Sequence, residues 1–182
     1  LSYGTDMWKL DRLNDLSRRI CATQPSFEVI DQEYEKILKG PTYSPAVQCA
    51  VYAMTAGAFA IFFGGNLWDG IASLFVGALI RVTLYAFAKV HMKAIFSNIL
   101  CSLISGMACI LMCRVGPGQH VEMIMIGNIM LLIPGVLMTN SFRDFISGDM
   151  ISGLLHFSEA MITAVCVAAG FILSKILLGG ML

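Results

Sequence analysis

The chain has 182 residues, of which 57% are hydrophobic and only 13% are charged, whereas an average soluble domain has about 25% charged residues. Its 12 basic and 12 acidic residues cancel, so the basic surplus typical of nucleic-acid-binding proteins is missing. These numbers exclude an ordinary soluble domain and argue against a nucleic-acid partner. They predict an all-α polytopic membrane protein, with the lipid bilayer as its solvent.

The first element is the most polar part of the chain. Residues 1–40 contain six of the twelve basic and seven of the twelve acidic residues. Apolar residues recur at helical spacing on both sides of Pro25-Ser26, which predicts two amphipathic helices. We therefore expect residues 1–43 to form a helical hairpin outside the membrane.

The rest of the chain alternates long apolar runs with short polar or Gly/Pro-rich segments. Because about 20 apolar residues are needed to cross the hydrocarbon core, these runs predict five transmembrane helices. Basic residues cluster in the hairpin and in the loops expected on the same side of the membrane. Because basic residues are enriched on the cytoplasmic side, the N-terminus is expected to be cytoplasmic. The expected transmembrane domain is 44–182, with spans near 44–64, 70–88, 94–113, 121–139 and 152–178.

The fourth predicted span is interrupted by Pro134-Gly135. Proline lacks a backbone donor and clashes with the preceding turn, so this helix should kink or stop there. Irregular backbone at membrane depth is tolerated only inside protein or beside a water-filled cavity, and broken helices bind substrate in many secondary transporters. The alternative is an ordinary proline kink followed by a polar cytoplasmic loop.

Two charged residues lie within predicted spans, Arg81 in the second and Glu159 in the fifth. A charge at this depth costs roughly 2.5 to 3.5 kcal/mol on insertion scales. Both residues lie about 10 Å from the cytoplasmic ends of their helices. Either they form a structural ion pair between two helices, or they line a path for substrate or protons.

Polar residues also recur at helical spacing in the last three spans. His156 and Glu159 share one face of the fifth span with Ser152 and Thr163. An imidazole near a carboxylate at membrane depth can exchange protons near neutral pH, so this face is a candidate for proton coupling. Weaker polar faces, more typical of helix packing, are Asn98, Ser102, Ser105 and Cys109 in the third span, and Asn128, Gly135 and Thr139 in the fourth.

Two segments carry a resemblance to a known family. The run IPGVLMTNSFRDFISGDMISGLLHFSEA, residues 133–160, resembles the signature of the bacterial threonine/serine exporter family, which combines I-P-G, Thr-Asn, Arg-Asp, Gly-Asp, Ser-Gly and Glu-Ala. The WDG at 68–70 resembles the second motif of that family. The likeness covers nearly the whole chain as an N-terminal half, and we expect an upstream soluble segment to be missing. The residues on motif positions are Trp68, Asp69, Gly70, Pro134, Gly135, Asn140, Arg143, Asp144, Asp149 and Glu159.

The resemblance implies a secondary transporter in the bacterial inner membrane that exports small polar metabolites. Threonine and serine are the namesake substrates, and dicarboxylates such as succinate are proposed for split members. In split members a second small membrane protein completes the transporter, so a hetero-oligomer is implied. His156 stands where members often carry arginine, which argues against a strongly cationic dicarboxylate site.

We expect a substrate cavity open to the cytoplasm between the fourth and fifth spans. The freed carbonyls of the break and Asn140 would hold an ammonium group, and Arg81 or Arg143 would hold a carboxylate. Asp69, in the outer loop, would either gate the outer side or act as N-cap of the second span. The candidate substrate and transport residues are Arg81, Asn128, Pro134, Gly135, Thr139, Asn140, Arg143, Asp144, Asp149, His156 and Glu159.

Other classes of function are weaker alternatives. The chain has no H-E-x-x-H, G-x-S-x-G or aspartate-rich diphosphate motif, so we expect neither an enzyme nor a cofactor. Cys109 and Cys113 lie one helical turn apart without a neighbouring His or acid, which indicates buried apolar residues rather than metal ligands. A passive channel, an electrogenic uniporter and a non-transporting scaffold subunit stay open.

Overall fold

The structure of the protein, a computed structural model, describes residues 7–23, 25–40, 43–90 and 92–179. Every regular element within these ranges is an α-helix. Four of the helices are long and apolar enough to cross a membrane. The predicted all-α, polytopic membrane fold is confirmed.

The four membrane-crossing helices are α3, α4, α5 and α8, which contain 18 to 30 residues. They match the first, second, third and fifth predicted spans to within one helical turn. In chain order the helices are α1 Met7–Thr23, α2 Phe27–Leu38, α3 Pro45–Phe62, α4 Leu67–Lys89, α5 Ala94–Arg114, α6 Val121–Ile129, α7 Gly135–Ile146 and α8 Met150–Gly179.

The chain divides into two compact units, Leu1–Ser44 and Pro45–Leu182. In the first unit, α1 and α2 form an antiparallel pair, in which Arg19 Nη2 lies 2.8 Å from Glu33 Oε2. Lys9 Nζ donates to the carbonyl oxygen of Leu38 at 2.9 Å, which ties the open end of the pair.

The fourth predicted span consists of two short helices instead of one. α6 has nine residues and packs against α3, α4 and α5, whereas α7 has twelve residues and packs along α8. The interruption predicted at Pro134-Gly135 is therefore real, but it begins earlier, after Ile129. The chain leaves the α3–α4–α5 cluster at this break and continues on the other side of the bundle.

Small residues allow α3, α4 and α6 to approach closely. A Cβ atom at Gly127 would lie 2.7 Å from the carbonyl oxygen of Ala56 and 2.8 Å from the nitrogen of Ala60. A Cβ at Gly77 would lie 2.8 Å from the carbonyl oxygen of Tyr52. Since lipid supplies no hydrophobic force between helices, such close backbone packing is a main source of their association.

The helices α5 and α8 run parallel and pack in the same way. Gly170 of α8 lies against Ser102 of α5, and one turn further along, Ser174 of α8 lies against Gly106. Ser102 and Ser105 are buried and donate to carbonyls one turn earlier on α5. The polar face predicted for the third span is thus a helix-packing surface.

Candidate functional site

The break in the fourth span is a tight, non-helical segment between Ile129 and Gly135. The amide of Leu132 donates to the Ile129 carbonyl, three residues back, at 2.9 Å. The amide of Gly135 then donates to Ile133 at 2.8 Å, only two residues back. The helix tightens and ends before Pro134 is reached.

Five backbone groups at the break have no hydrogen-bond partner within the described part of the chain. Pro134 has no N–H to offer the carbonyl of Met130, and the amide of Gly135 is turned away from Leu131. The carbonyl of Leu132 is likewise unpaired. The amides without an acceptor are those of Val136 and Leu137, in the first turn of α7.

The α7 end of the break borders open space, whereas the side chain of Leu132 is buried. A Cβ atom at Gly135 would meet nothing within 4 Å, and the side chain of Ile133 is 42% exposed. Unpaired backbone groups cost several kcal/mol each in lipid, so they need water, protein or a ligand. The arrangement presents three acceptors and two donors to whatever occupies the break.

The α7–α8 hairpin that follows is fastened by side chains. Ser141 Oγ donates to the carbonyl of Gly153 at 2.8 Å, and the Phe145 ring covers Gly153, where a Cβ would lie 2.6 Å from the ring. Asp144 Oδ2 lies 2.8 Å from His156 Nδ1. A polar pair therefore links the two helices beside an apolar contact.

The carboxylate that contacts His156 is Asp144, on the other helix of the hairpin, rather than Glu159. The sequence indicated Glu159 because it lies on the same helical face, one turn away. Glu159 is half-buried at that position. The side chain of Arg143 is 72% exposed, and its Nε lies 3.9 Å from Asp144 Oδ1.

The turn between α7 and α8 explains two of the motif residues. Gly148 has a φ of 85°, in the left-handed region that favours glycine. Asp149 accepts from the backbone N–H of Ser152 at 3.2 Å and from its hydroxyl at 2.7 Å. These hydrogen bonds, the hydroxyl one first, hold the pKa of Asp149 below its usual value. Both residues shape the turn and cap α8.

Two candidate residues in the first half of α7 differ in exposure. Thr139 is exposed, and its hydroxyl donates to the carbonyl of Gly135 at 2.9 Å. Asn140, the next residue, is half-buried.

Asn128, in the last turn of α6, is fully buried. Its Nδ2 donates to Ser73 Oγ and to the carbonyl of Ile124, each at 2.8 Å. Because the bond to the carbonyl requires the nitrogen at that position, the oxygen Oδ1 points elsewhere, and it has no partner. A buried acceptor thus lies directly before the break.

Arg81 is held by α3. Its Nε donates to Gln48 Oε1 at 2.9 Å and its Nη2 donates to the same oxygen. The guanidinium carbon lies 5.9 Å from the ring centres of both Tyr52 and Tyr85. The hydrogen bonds of Arg81 thus go to α3, and α4 packs against α3, α5 and α6, whereas α8 packs against α5 and α7.

Asp69 joins the start of α4 to the loop between α5 and α6. It is fully buried and accepts from the backbone amides of Gln119 and His120 at 2.7 and 2.8 Å, and from the Asn66 amide at 3.1 Å. His120 Nδ1 lies 2.8 Å from its second oxygen. Asn66, not Asp69, is the N-cap of α4, and Asp69 completes the capping box.

The neighbours of Asp69 in the WDG motif differ in burial. Trp68 is 54% exposed, whereas Gly70 is buried. A Cβ at Gly70 would lie 2.7 Å from Ile61 Cδ1, so this glycine permits the contact between α3 and α4.

Several residues of these clusters were not indicated by the sequence: Gln48, Tyr52, Ser73, Gln119 and His120. Gln48 and Tyr52 lie one turn apart on α3. This spacing of two polar residues in an apolar helix is the sequence signal that could have indicated them. His120 is 51 residues from Asp69, and no spacing rule connects them. Among the described residues, no three His, Cys, Asp or Glu side chains come together as metal ligands.

Two comparisons relate the chain to known proteins. It matches the family model of threonine/serine exporters over residues 2–178. It is 23% identical over 171 residues to a protein of Corynebacterium glutamicum named threonine/serine exporter, a match that covers 91% of this chain and 35% of that protein. The chain thus spans about a third of the length of this relative. No solved structure matches it.

Proposed function

The chain belongs to the threonine/serine exporter family, and from this we propose that it is a subunit of a secondary transporter that exports small polar metabolites, with threonine or serine as substrate. The name of the C. glutamicum relative supports the substrate class. The observation that carries the proposal is the broken fourth span, whose free backbone groups match the two charged ends of an amino acid.

The acceptors of the break suit an ammonium group. The carbonyl oxygens of Met130, Leu131 and Leu132 carry partial negative charge and have no donor within the described residues. The free Oδ1 of Asn128 lies directly before the break, and Asn140 lies on the following helix. In broken-helix transporters, unwound carbonyls bind cations in this manner.

The donors of the break suit a carboxylate. The free amides of Val136 and Leu137 form the first turn of the twelve-residue α7, where the helix dipole favours negative charge. This placement replaces the expected role of Arg81, which is held by Gln48 on α3. The exposed Arg143 is proposed as a second ligand of the carboxylate.

Proton coupling is proposed for the pair of Asp144 and His156, with Glu159 one turn further along α8. Imidazole exchanges protons near neutral pH, and ionisable chains within membrane helices commonly form proton relays. Because the pair joins α7 to α8, a change in its charge acts directly on the hairpin next to the break. Electrogenic uniport is the rival mode.

A second small membrane protein is proposed to complete the transporter. Within the described chain, α7 packs only along α8, and polar side chains such as Thr139 and Ser158 are exposed on this hairpin. Small polar residues such as Ser and Thr are typical of the interfaces between membrane helices. A partner that covers this hairpin would close the site. Both proteins would lie in the bacterial inner membrane, with the N-terminus of this chain cytoplasmic.

Counterflow of radiolabelled threonine, serine and succinate in proteoliposomes tests this function. The chain is reconstituted alone and with its membrane partner, at two imposed pH gradients. We expect threonine and serine exchange that requires the partner and responds to the gradient. Succinate exchange in place of amino acids would refute the amino-acid site. An intact complex without exchange of any of the three would indicate a scaffold subunit.

A further inference from the structure

Arg81 lies in a cage of uncharged groups. Among the described residues it contacts the side-chain oxygen of Gln48 and the rings of Tyr52 and Tyr85. Two of its five N–H donor positions, Nε and one on Nη2, are directed at Gln48, so the remaining donors are free for another acceptor. The cage holds the guanidinium in place without neutralising it.

A second cation continues this cluster along α4. Arg81, Tyr85 and Lys89 are spaced four residues apart, which places them on one stripe of the helix. Lys89 Nζ lies 4.8 Å from the centre of the Tyr85 ring, whose other contact is Arg81. Tyr85 is 45% exposed, so the stripe faces outward from the bundle.

The two helices that carry the cluster supply no acid beside the two cations. α3 contains no Asp or Glu, and the single acid of α4 is Asp69, near the opposite end of the helix. Asp69 is already bound to the loop at Gln119 and His120. Because a charged side chain within a span is costly, an anion bound to Arg81 would be stabilising.

The position of the cluster identifies the anion. Lys89 is the last residue of α4, and Gln48 lies in the first turn of α3, so the cluster reaches from the helix ends into the bilayer by about 12 Å. Tyrosine rings are typical of the membrane–water interface, and basic pockets between helix ends bind lipid phosphates. The exposed stripe is open to lipid.

We propose that Arg81 and Lys89, with the rings of Tyr52 and Tyr85, form a binding site for the phosphate headgroup of an anionic phospholipid. The guanidinium donates to two phosphate oxygens, and the ammonium of Lys89 approaches from the membrane surface. The phosphate neutralises Arg81, and the acyl chains lie along the exposed side of α4. This site is separate from the break and does not depend on transport.

Native mass spectrometry of the purified chain with phosphatidylglycerol or phosphatidylcholine tests the site. We expect the wild type to retain phosphatidylglycerol preferentially, and Arg81→Gln to bind it about fivefold more weakly, which corresponds to about 1 kcal/mol for one basic residue. Lys89→Gln, an exposed position at the helix end, is expected to show a similar loss without disturbing the helix packing. Lys93→Gln removes an equivalent charge four residues beyond Lys89 and serves as the matched control.

Three results would overturn the proposal. Equal retention of the two lipids would show that no headgroup is recognised. Unchanged binding in both Arg81→Gln and Lys89→Gln, or an equal loss in Lys93→Gln, would place the lipid elsewhere. Displacement of phosphatidylglycerol by millimolar inorganic phosphate would assign the cage to a soluble anion instead of a lipid.

Discussion

Asp144 and His156 face each other across the α7–α8 turn, with Oδ2 and Nδ1 2.8 Å apart. The pair fastens the hairpin that follows the broken span, next to the Ser141–Gly153 hydrogen bond. Within the hairpin, one contact depends on protonation and the other does not. The two roles can therefore be separated by substitution.

Replacing Asp144 by Asn is expected to remove the response of threonine exchange to an imposed pH gradient, because the amide is not ionisable and takes away the carboxylate that faces the His156 imidazole. The measurement is counterflow at two pH gradients in proteoliposomes that contain the partner. Ser141→Ala is the control, since it removes a hairpin hydrogen bond worth about 1 kcal/mol without removing an ionisable group. A full pH response in Asp144→Asn would give the pair a purely structural role.

Replacing Gly127 by Ala is expected to lower the thermal stability of the membrane unit by about 1 to 3 kcal/mol, as is typical of overpacking. The new methyl would lie 2.7 Å from a backbone oxygen of Ala56, and backbone cannot move aside cheaply. Gly135→Ala is the matched control, since its Cβ meets nothing within 4 Å. Thermal unfolding of both variants in detergent is the measurement. Equal stability of the two would contradict the packing described for α3 and α6.

Replacing Asp69 by Ala is expected to destabilise the fold by more than Trp68→Ala. Without the carboxylate, three backbone amides lose their acceptor. Each buried donor that stays unpaired lowers the free energy of unfolding by about 1 to 3 kcal/mol. Trp68 is 54% exposed and contributes less packing. Thermal unfolding of the two single variants compares neighbouring positions directly. A larger loss in Trp68→Ala would mean that the loop at His120 does not depend on Asp69.

Acid should weaken the cap of α8. The folded-state pKa of Asp149 is lowered by its hydrogen bonds to Ser152, so its stabilisation is complete above the unfolded-state pKa of about 3.9 and is lost as pH falls through the lower folded-state value. Asp149→Asn keeps a capping side chain without this titration. We expect the wild type to lose thermal stability relative to this variant below about pH 4. Parallel pH profiles for the two proteins would contradict the assignment.

The membrane helices were predictable from the sequence because the apolar runs are long and the separating segments carry Gly, Pro or charge. The break was also predictable, since Pro134 cannot donate to the carbonyl four residues before it. Its extent was not. The helix ends at Ile129 because the amides of Leu131 and Leu132 turn to acceptors three residues back, and this choice depends on the packing of α6 against its neighbours.

The partners of the charged residues were beyond the sequence for a geometric reason. Depth along a helix can be counted, but rotation about its axis cannot be read from one chain. Arg81 and Glu159 lie at similar depths, yet Arg81 is turned towards Gln48 on α3. Likewise, helical spacing on α8 indicated Glu159 as the carboxylate beside His156. The turn at Gly148 instead brings Asp144 into contact with His156. A hairpin pairs residues across its turn, and its register follows from the position of that turn.

The central claim, that the broken span binds the amino acid, is tested most directly by the KM for threonine counterflow in wild type and Pro134→Ala. Alanine returns an N–H to position 134, so the carbonyl of Met130 regains its helical donor and the break can close. We predict that Pro134→Ala stays folded and assembled with its partner but raises the KM by about tenfold, the equivalent of one lost contact of 1.4 kcal/mol. Exchange with an unchanged KM and rate in Pro134→Ala would contradict a substrate site at the break.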